Sequence, residues 1–116
     1  VTQLNVNVTR TDEERFESYA AEFGLDRTGL ANLLLFRELR VGQLGRLDPD
    51  RVRKGEVRNG RLTAHLPDGR WKEFVLHATK HEMRPASAGA LILLRELDEQ
   101  WLRKAVDKRL KLSRFS

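Results

Sequence analysis

The feature that most constrains this chain lies in its first ten residues. Gln3-Leu4-Asn5-Val6-Asn7-Val8-Thr9 alternates polar and apolar side chains, the period of a half-buried β-strand. Residues 2–9 therefore read as a strand with Leu4, Val6 and Val8 on one face and Gln3, Asn5, Asn7 and Thr9 on the other. So short a strand has no stability alone. It needs a partner strand, from a second chain or from later in this one.

Two helical patterns follow at once. Thr11 or Asp12 can cap the first helix, and Glu13 and Glu14 lie where its dipole favours acids. Phe16, Tyr19, Ala20 and Phe23 recur at helical spacing, and Gly24 ends the pattern. Asp26 or Thr28 can cap the next helix. Its apolar side holds Leu30, Leu33, Leu34 and Leu39, widened by Leu35 and Phe36, up to Gly42 and Gly45. So broad a stripe implies burial on more than one side, as in a helix at a dimer interface.

The rest of the chain divides less sharply. Residues 1–45 form one module and 46–61 a basic connector carrying Arg46, Arg51, Arg53, Lys54, Arg58 and Arg61, with a short helical turn expected at Asp48-Pro49-Asp50. Residues 62–116 read as a β-hairpin followed by a long helix. Leu62, Ala64 and Leu66 alternate with polar residues, Pro67-Asp68-Gly69-Arg70 is a turn signal, and Trp71 to Thr79 is the expected return strand with Phe74, Leu76 and Ala78 on one face. A helical pattern then runs from Pro85 to about Leu110.

One segment recurs. Ala31-Asn32-Leu33-Leu34-Leu35-Phe36-Arg37-Glu38-Leu39 resembles Gly89-Ala90-Leu91-Ile92-Leu93-Leu94-Arg95-Glu96-Leu97. Each follows an alternating strand ending in threonine, at Thr9 and at Thr79, but only His81 to Arg84 stands where the second copy's first helix belongs. A duplication would supply the missing partner strand and make a pseudo-dimer from one chain. Chance is the competing explanation, because leucine-rich helices ending in Arg-Glu-Leu are common.

Composition narrows the function. The chain has 116 residues, no cysteine and a formal net charge of +5. That excludes disulfides and thiol chemistry, fits a reducing cytoplasm and favours a polyanionic partner, nucleic acid before anionic membrane. No run of eighteen apolar residues and no signal peptide is read. His65, His77 and His81 are the only histidines, and His77 and His81 are expected to straddle a strand end; with no cysteine and only Glu82 nearby, no metal site is expected. Tyr19, Trp71 and Trp101 read as core, and no nucleophile or phosphate-loop motif occurs. Neither an enzyme nor a cofactor is expected.

The opening segment resembles the ribbon-helix-helix family of DNA-binding proteins, the class of the Arc and MetJ repressors. The resemblance covers residues 2–41 and rests on the strand, the acidic start Thr11-Asp12-Glu13-Glu14, and Ala20-Ala21-Glu22-Phe23-Gly24-Leu25 between the helices. It is closest in flavour to plasmid mobilisation and relaxosome accessory proteins. It implies an α+β fold in which a two-stranded ribbon enters the major groove, as a homodimer or as a single-chain pseudo-dimer. Gln3, Asn5 and Asn7 would then read bases, their amides suited to adenine. Thr9, Arg10, Arg27 and Thr28 would hold phosphate near a helix N-terminus, with Asp26 capping it. The implied setting is plasmid transfer, with a relaxase as further partner, or autorepression of an operon. Alternatives are an antitoxin-like protein whose C-terminal half wraps a toxin, and a protein-interaction module without DNA.

Overall fold

The structure is a computed structural model that describes residues 2–47 and 57–114, with side chains as far as Arg109. The fold is α+β. Strand β1 (Thr2–Val8) leads into helices α1 (Arg10–Ala21) and α2 (Arg27–Val41) and a short 3-10 turn (Leu44–Arg46). Strand β2 (Gly60–Leu66) then leads into α3 (Asp68–Lys80), α4 (Pro85–Glu99) and α5 (Trp101–Arg114). The two strands form one antiparallel ribbon with Leu4 opposite Ala64, Asn5 opposite Thr63 and Val6 opposite Leu62. The helical turn expected at Asp48-Pro49-Asp50 and the cations Arg51, Arg53 and Lys54 lie outside the described residues.

The chain is thus two β-α-α units, β1-α1-α2 and β2-α3-α4, joined through their strands. The interval between Phe16 and Phe74 also separates Ala20 from Ala78, Glu38 from Glu96 and Leu39 from Leu97. The strand register turns each unit onto the other about an approximate two-fold axis through the Asn5–Thr63 pair. The units are interwoven: α2 packs on β2, and α4 packs on β1. Leu4, Val6 and Val8 meet Leu62, Ala64 and Leu66 in a single core with Phe16 and Phe74, both fully buried, beneath the helices.

Two expectations are corrected. The return strand over Trp71–Thr79 is helix α3, and β2 pairs with β1 rather than with a hairpin partner. Phe74 and Ala78 are buried whereas Leu76 is 63% exposed. With the partly buried Trp71, the buried positions follow a helical stripe rather than alternation. Pro67-Asp68-Gly69 opens that helix instead of turning a hairpin: Pro67 is its N-cap and Asp68 places an acid in the first turn. His77 and His81 consequently sit at the end of α3, four residues apart, with their rings edge-to-face at 5.1 Å. The second correction concerns the long C-terminal helix, which is broken at Gln100. This residue is left-handed (φ 52°), and its N–H donates to the Glu96 carbonyl at 2.8 Å.

The two units take the same turns with different residues. Gly24 (φ 71°) corresponds to Glu82 (φ 57°), and Gly42 (φ 62°) to Gln100 (φ 52°). A side chain in this region costs about 1–2 kcal/mol that glycine avoids, partly offset by glycine's freedom when unfolded. Glu82 is exposed, so Glu82→Gly is expected to raise stability by about 0.5–1 kcal/mol, measured as a higher urea midpoint at unchanged slope.

The recurring Arg-Glu-Leu segment has a structural role. Glu38 and Glu96 are both buried, at 4% and 3% exposure. The Glu96 carboxylate accepts from the Tyr19 hydroxyl at 2.5 Å, the Leu102 N–H at 2.8 Å and the Trp101 N–H at 3.2 Å. Glu38 takes the Leu44 N–H at 2.9 Å and meets His77 Nε2 at 2.7 Å. Each glutamate therefore ties the other unit's first helix to the segment that follows its own helix. Burial first, and then the hydrogen bond donated to Glu96, raises the Tyr19 pKa far above that of a free phenol. Below the unfolded pKa of about 10, the phenol is neutral in both states and its stabilisation is complete. Above it only the unfolded state ionises readily, so the stabilisation is lost as pH rises further. The stability gap between the wild type and Tyr19→Phe is expected to narrow from pH 9 to pH 11 in urea titrations.

Candidate nucleic-acid interface

The ribbon has one dry face and one wet face. Leu4, Val6, Val8, Leu62, Ala64 and Leu66 are at most 4% exposed. Their neighbours form three cross-strand pairs on the outside: Gln3 with His65, Asn5 with Thr63, and Asn7 with Arg61. Five of these six side chains are exposed, and Thr63 is half-buried. Asn5 joins the central pairs, because its Oδ1 accepts from Gln3 Nε2 and from Thr63 Oγ1, both at 3.0 Å. Among the described residues the ribbon has no third strand. This face carries polar groups that both donate and accept, on a width suited to a nucleic-acid groove.

The ribbon is held in place by its helices. On the outer edge of β2, the His65 N–H donates to Asn32 Oδ1 of α2 at 2.8 Å. The corresponding residue of α4 is Ala90, and beside β1 the surface instead forms a recess lined in part by Asn7, Met83, Ser87 and Ala90.

The expected phosphate residues fall into two groups. Thr9, and not the expected Thr11 or Asp12, which lie inside the helix, is the N-cap of α1 and accepts the Asp12 N–H at 3.1 Å, while the exposed Arg10 follows it and donates its backbone N–H to Asn59 Oδ1 at 3.2 Å. Both stand at the Asn7–Arg61 end of the ribbon. Arg27 and Thr28 begin α2, where Asp26 caps the helix by accepting the Gly29 N–H at 2.6 Å. Arg27 there is paired with Glu13 at 2.5 Å. The start of α4 differs: its N-cap is Arg84, without a side-chain capping bond, and Pro85 opens the helix.

Arg61, Thr63 and His65 join the outward face beyond the residues expected from the sequence. Their signal is the alternation Arg61-Leu62-Thr63-Ala64-His65-Leu66, which matches Gln3 to Val8 in period and is equally compatible with half of a separate hairpin. No group of three or more histidine, acidic or cysteine side chains that could hold a metal occurs among the described residues. No helix among them is long and apolar enough to cross a membrane. Comparison with protein-family models, with curated proteins and with solved structures yields no significant match.

Proposed function

We propose that this chain is a sequence-specific double-stranded DNA-binding protein of the ribbon-helix-helix type, built as a single-chain pseudo-dimer. The observation that carries the reading is the paired ribbon itself. Every inward side chain is buried, and Gln3, Asn5, Asn7, Arg61, Thr63 and His65 line the outward face. A two-stranded ribbon fits the major groove, and amides and guanidinium make paired hydrogen bonds to base edges. The net charge of +5 supplies the sequence-independent attraction to phosphate. Arg10 and Thr9 at one ribbon end, and the start of α2 with Arg27 and Thr28, are the backbone-holding positions. The biological setting we favour is an accessory factor of plasmid transfer or an operon autorepressor. The antitoxin-like alternative needs a separable C-terminal half, and α4 is instead the most continuously buried helix, with nine buried residues.

The reading is tested by gel-shift titration of cognate and random duplexes. Asn5→Ala and Asn7→Ala are expected to reduce preference for the cognate site by about 1–3 kcal/mol per paired contact. Arg10→Ala should weaken binding to all duplexes alike and flatten the salt dependence. Equal losses on cognate and random DNA in the asparagine variants would rule out base readout by this face.

A further inference from the structure

We infer that the ribbon reads a directional, non-palindromic duplex as one chain, with the Asn7–Arg61 pair over a guanine-containing step at one end of the site. The inference rests on the DNA-binding reading above and specifies its target. The approximate two-fold axis relates Gln3 to Arg61, Asn5 to Thr63 and Asn7 to His65. No related pair is alike: an amide corresponds to a guanidinium, a hydroxyl and an imidazole in turn. A ribbon made from two copies must present the same strand twice, which is why dimeric readers take palindromes. Here the buried framework keeps the symmetry while the outward face has abandoned it.

The two ends also differ in charge. Arg10, Arg58 and Arg61 lie at the Asn7 end, where Val8 pairs with Gly60. At the other end, the position corresponding to Arg10 is Asp68, whose carboxylate accepts from the Thr2 hydroxyl at 3.4 Å. The residue that follows each strand and begins the next helix is therefore a cation after β1 and an acid after β2.

The chemistry at each end selects bases. The Arg61 guanidinium only donates, and guanine alone offers two acceptors, O6 and N7, on its major-groove edge. Adenine would set its amino group against the same donors. At the centre, the oxygen of Asn5 accepts from Gln3 and Thr63 in the free protein, and a paired contact to a base exchanges those bonds for one to the base edge. Gln3 and His65 at the far end keep mixed donor and acceptor character. Successive pairs are two residues apart, about 6.8 Å, close to the rise of two base pairs. Three pairs then span about five base pairs.

The test is selection from a randomised duplex pool at low salt with the full chain, Arg61→Gln, and the triple variant Arg61→Gln, Thr63→Asn, His65→Asn. The triple variant copies β1's outward residues onto β2. All three positions lie on the outward face of the ribbon, and circular dichroism checks that the fold is kept. The wild type is expected to enrich a motif without two-fold symmetry, at one chain per site by light scattering. Arg61→Gln should lose the preference for one terminal guanine by about 5- to 150-fold and leave the other end unchanged. The triple variant should enrich a palindrome. A palindromic wild-type motif, two chains per site, or an unchanged motif in Arg61→Gln overturns the directional inference and leaves the ribbon reading standing. No duplex retained, or duplex retained without base preference, overturns both.

Discussion

Phe74→Ala is expected to lower stability by about 3–5 kcal/mol, the cost of emptying a fully buried phenyl site. A domain of this kind has about 5–15 kcal/mol in total, so the variant stands near the limit of folding. Phe74 is completely buried, as is its counterpart Phe16, and Phe16→Ala should cost a similar amount. Both rings belong to one core shared by the two units. Loss of either should therefore shift a single unfolding transition rather than release one unit before the other. Urea titrations followed by circular dichroism and by tryptophan fluorescence are expected to coincide in the wild type and in both variants. Separate transitions would contradict the common core. Leu76→Ala is the informative control. On a strand, Leu76 would share a buried face with Phe74 and Ala78; on α3 it is 63% exposed. Its removal should change stability by no more than about 0.5 kcal/mol.

Glu96→Ala is the second substitution with a large effect, about 3–5 kcal/mol. The carboxylate is buried, and its removal leaves the Tyr19 hydroxyl and the N–H groups of Leu102 and Trp101 without their acceptor. Each abandoned group costs about 1–3 kcal/mol when water cannot replace the partner. The damage should be local as well as global, because Glu96 holds the first turn of α5 against α1. Arg103 supports the same junction by an ion pair with Glu22 and by its N–H to the Tyr19 hydroxyl at 3.3 Å. Hydrogen exchange at Trp101 and Leu102 is expected to accelerate in Glu96→Ala more than exchange in the β1–β2 ribbon. Glu96→Gln keeps an acceptor and should cost less. An unchanged exchange rate at Leu102 would show that the first turn of α5 does not depend on Glu96.

The first unit was readable because each local signal agreed with the next. Alternation from Gln3 to Val8, a helix start marked by acids at Asp12 and Glu13, and glycines at the left-handed positions all point one way, although the cap is Thr9 and not Thr11 or Asp12. The second unit has the same backbone with weaker punctuation. Its left-handed residues are Glu82 and Gln100 in place of glycine, so neither the end of α3 nor the break before α5 is marked. Its first helix begins with Pro67-Asp68-Gly69, which is turn chemistry as much as helix-start chemistry. Phe74, Leu76 and Ala78 satisfy alternation, while Trp71, Phe74 and Ala78 satisfy the helical period; only burial separates the two. The likeness of Ala31–Leu39 to Gly89–Leu97 is visible in the sequence, but a strand over Trp71–Thr79 hides that Phe16 and Phe74 stand at the same interval. The outward triplet of β1 was legible as alternating amides. That of β2 was hidden because strand partnership over so many intervening residues leaves no trace in either strand alone.

Joining both halves in a single polypeptide frees this fold from the law of mass action. An assembly of identical subunits dissociates on dilution and exchanges members with its pool. Here each strand is tethered to its mate, and the local concentration of one near the other is fixed by the chain between them. The folded state should persist unchanged at the scarcest expression level. Equally, a change of sequence enters once rather than twice, so either half can drift while the other stays as it was.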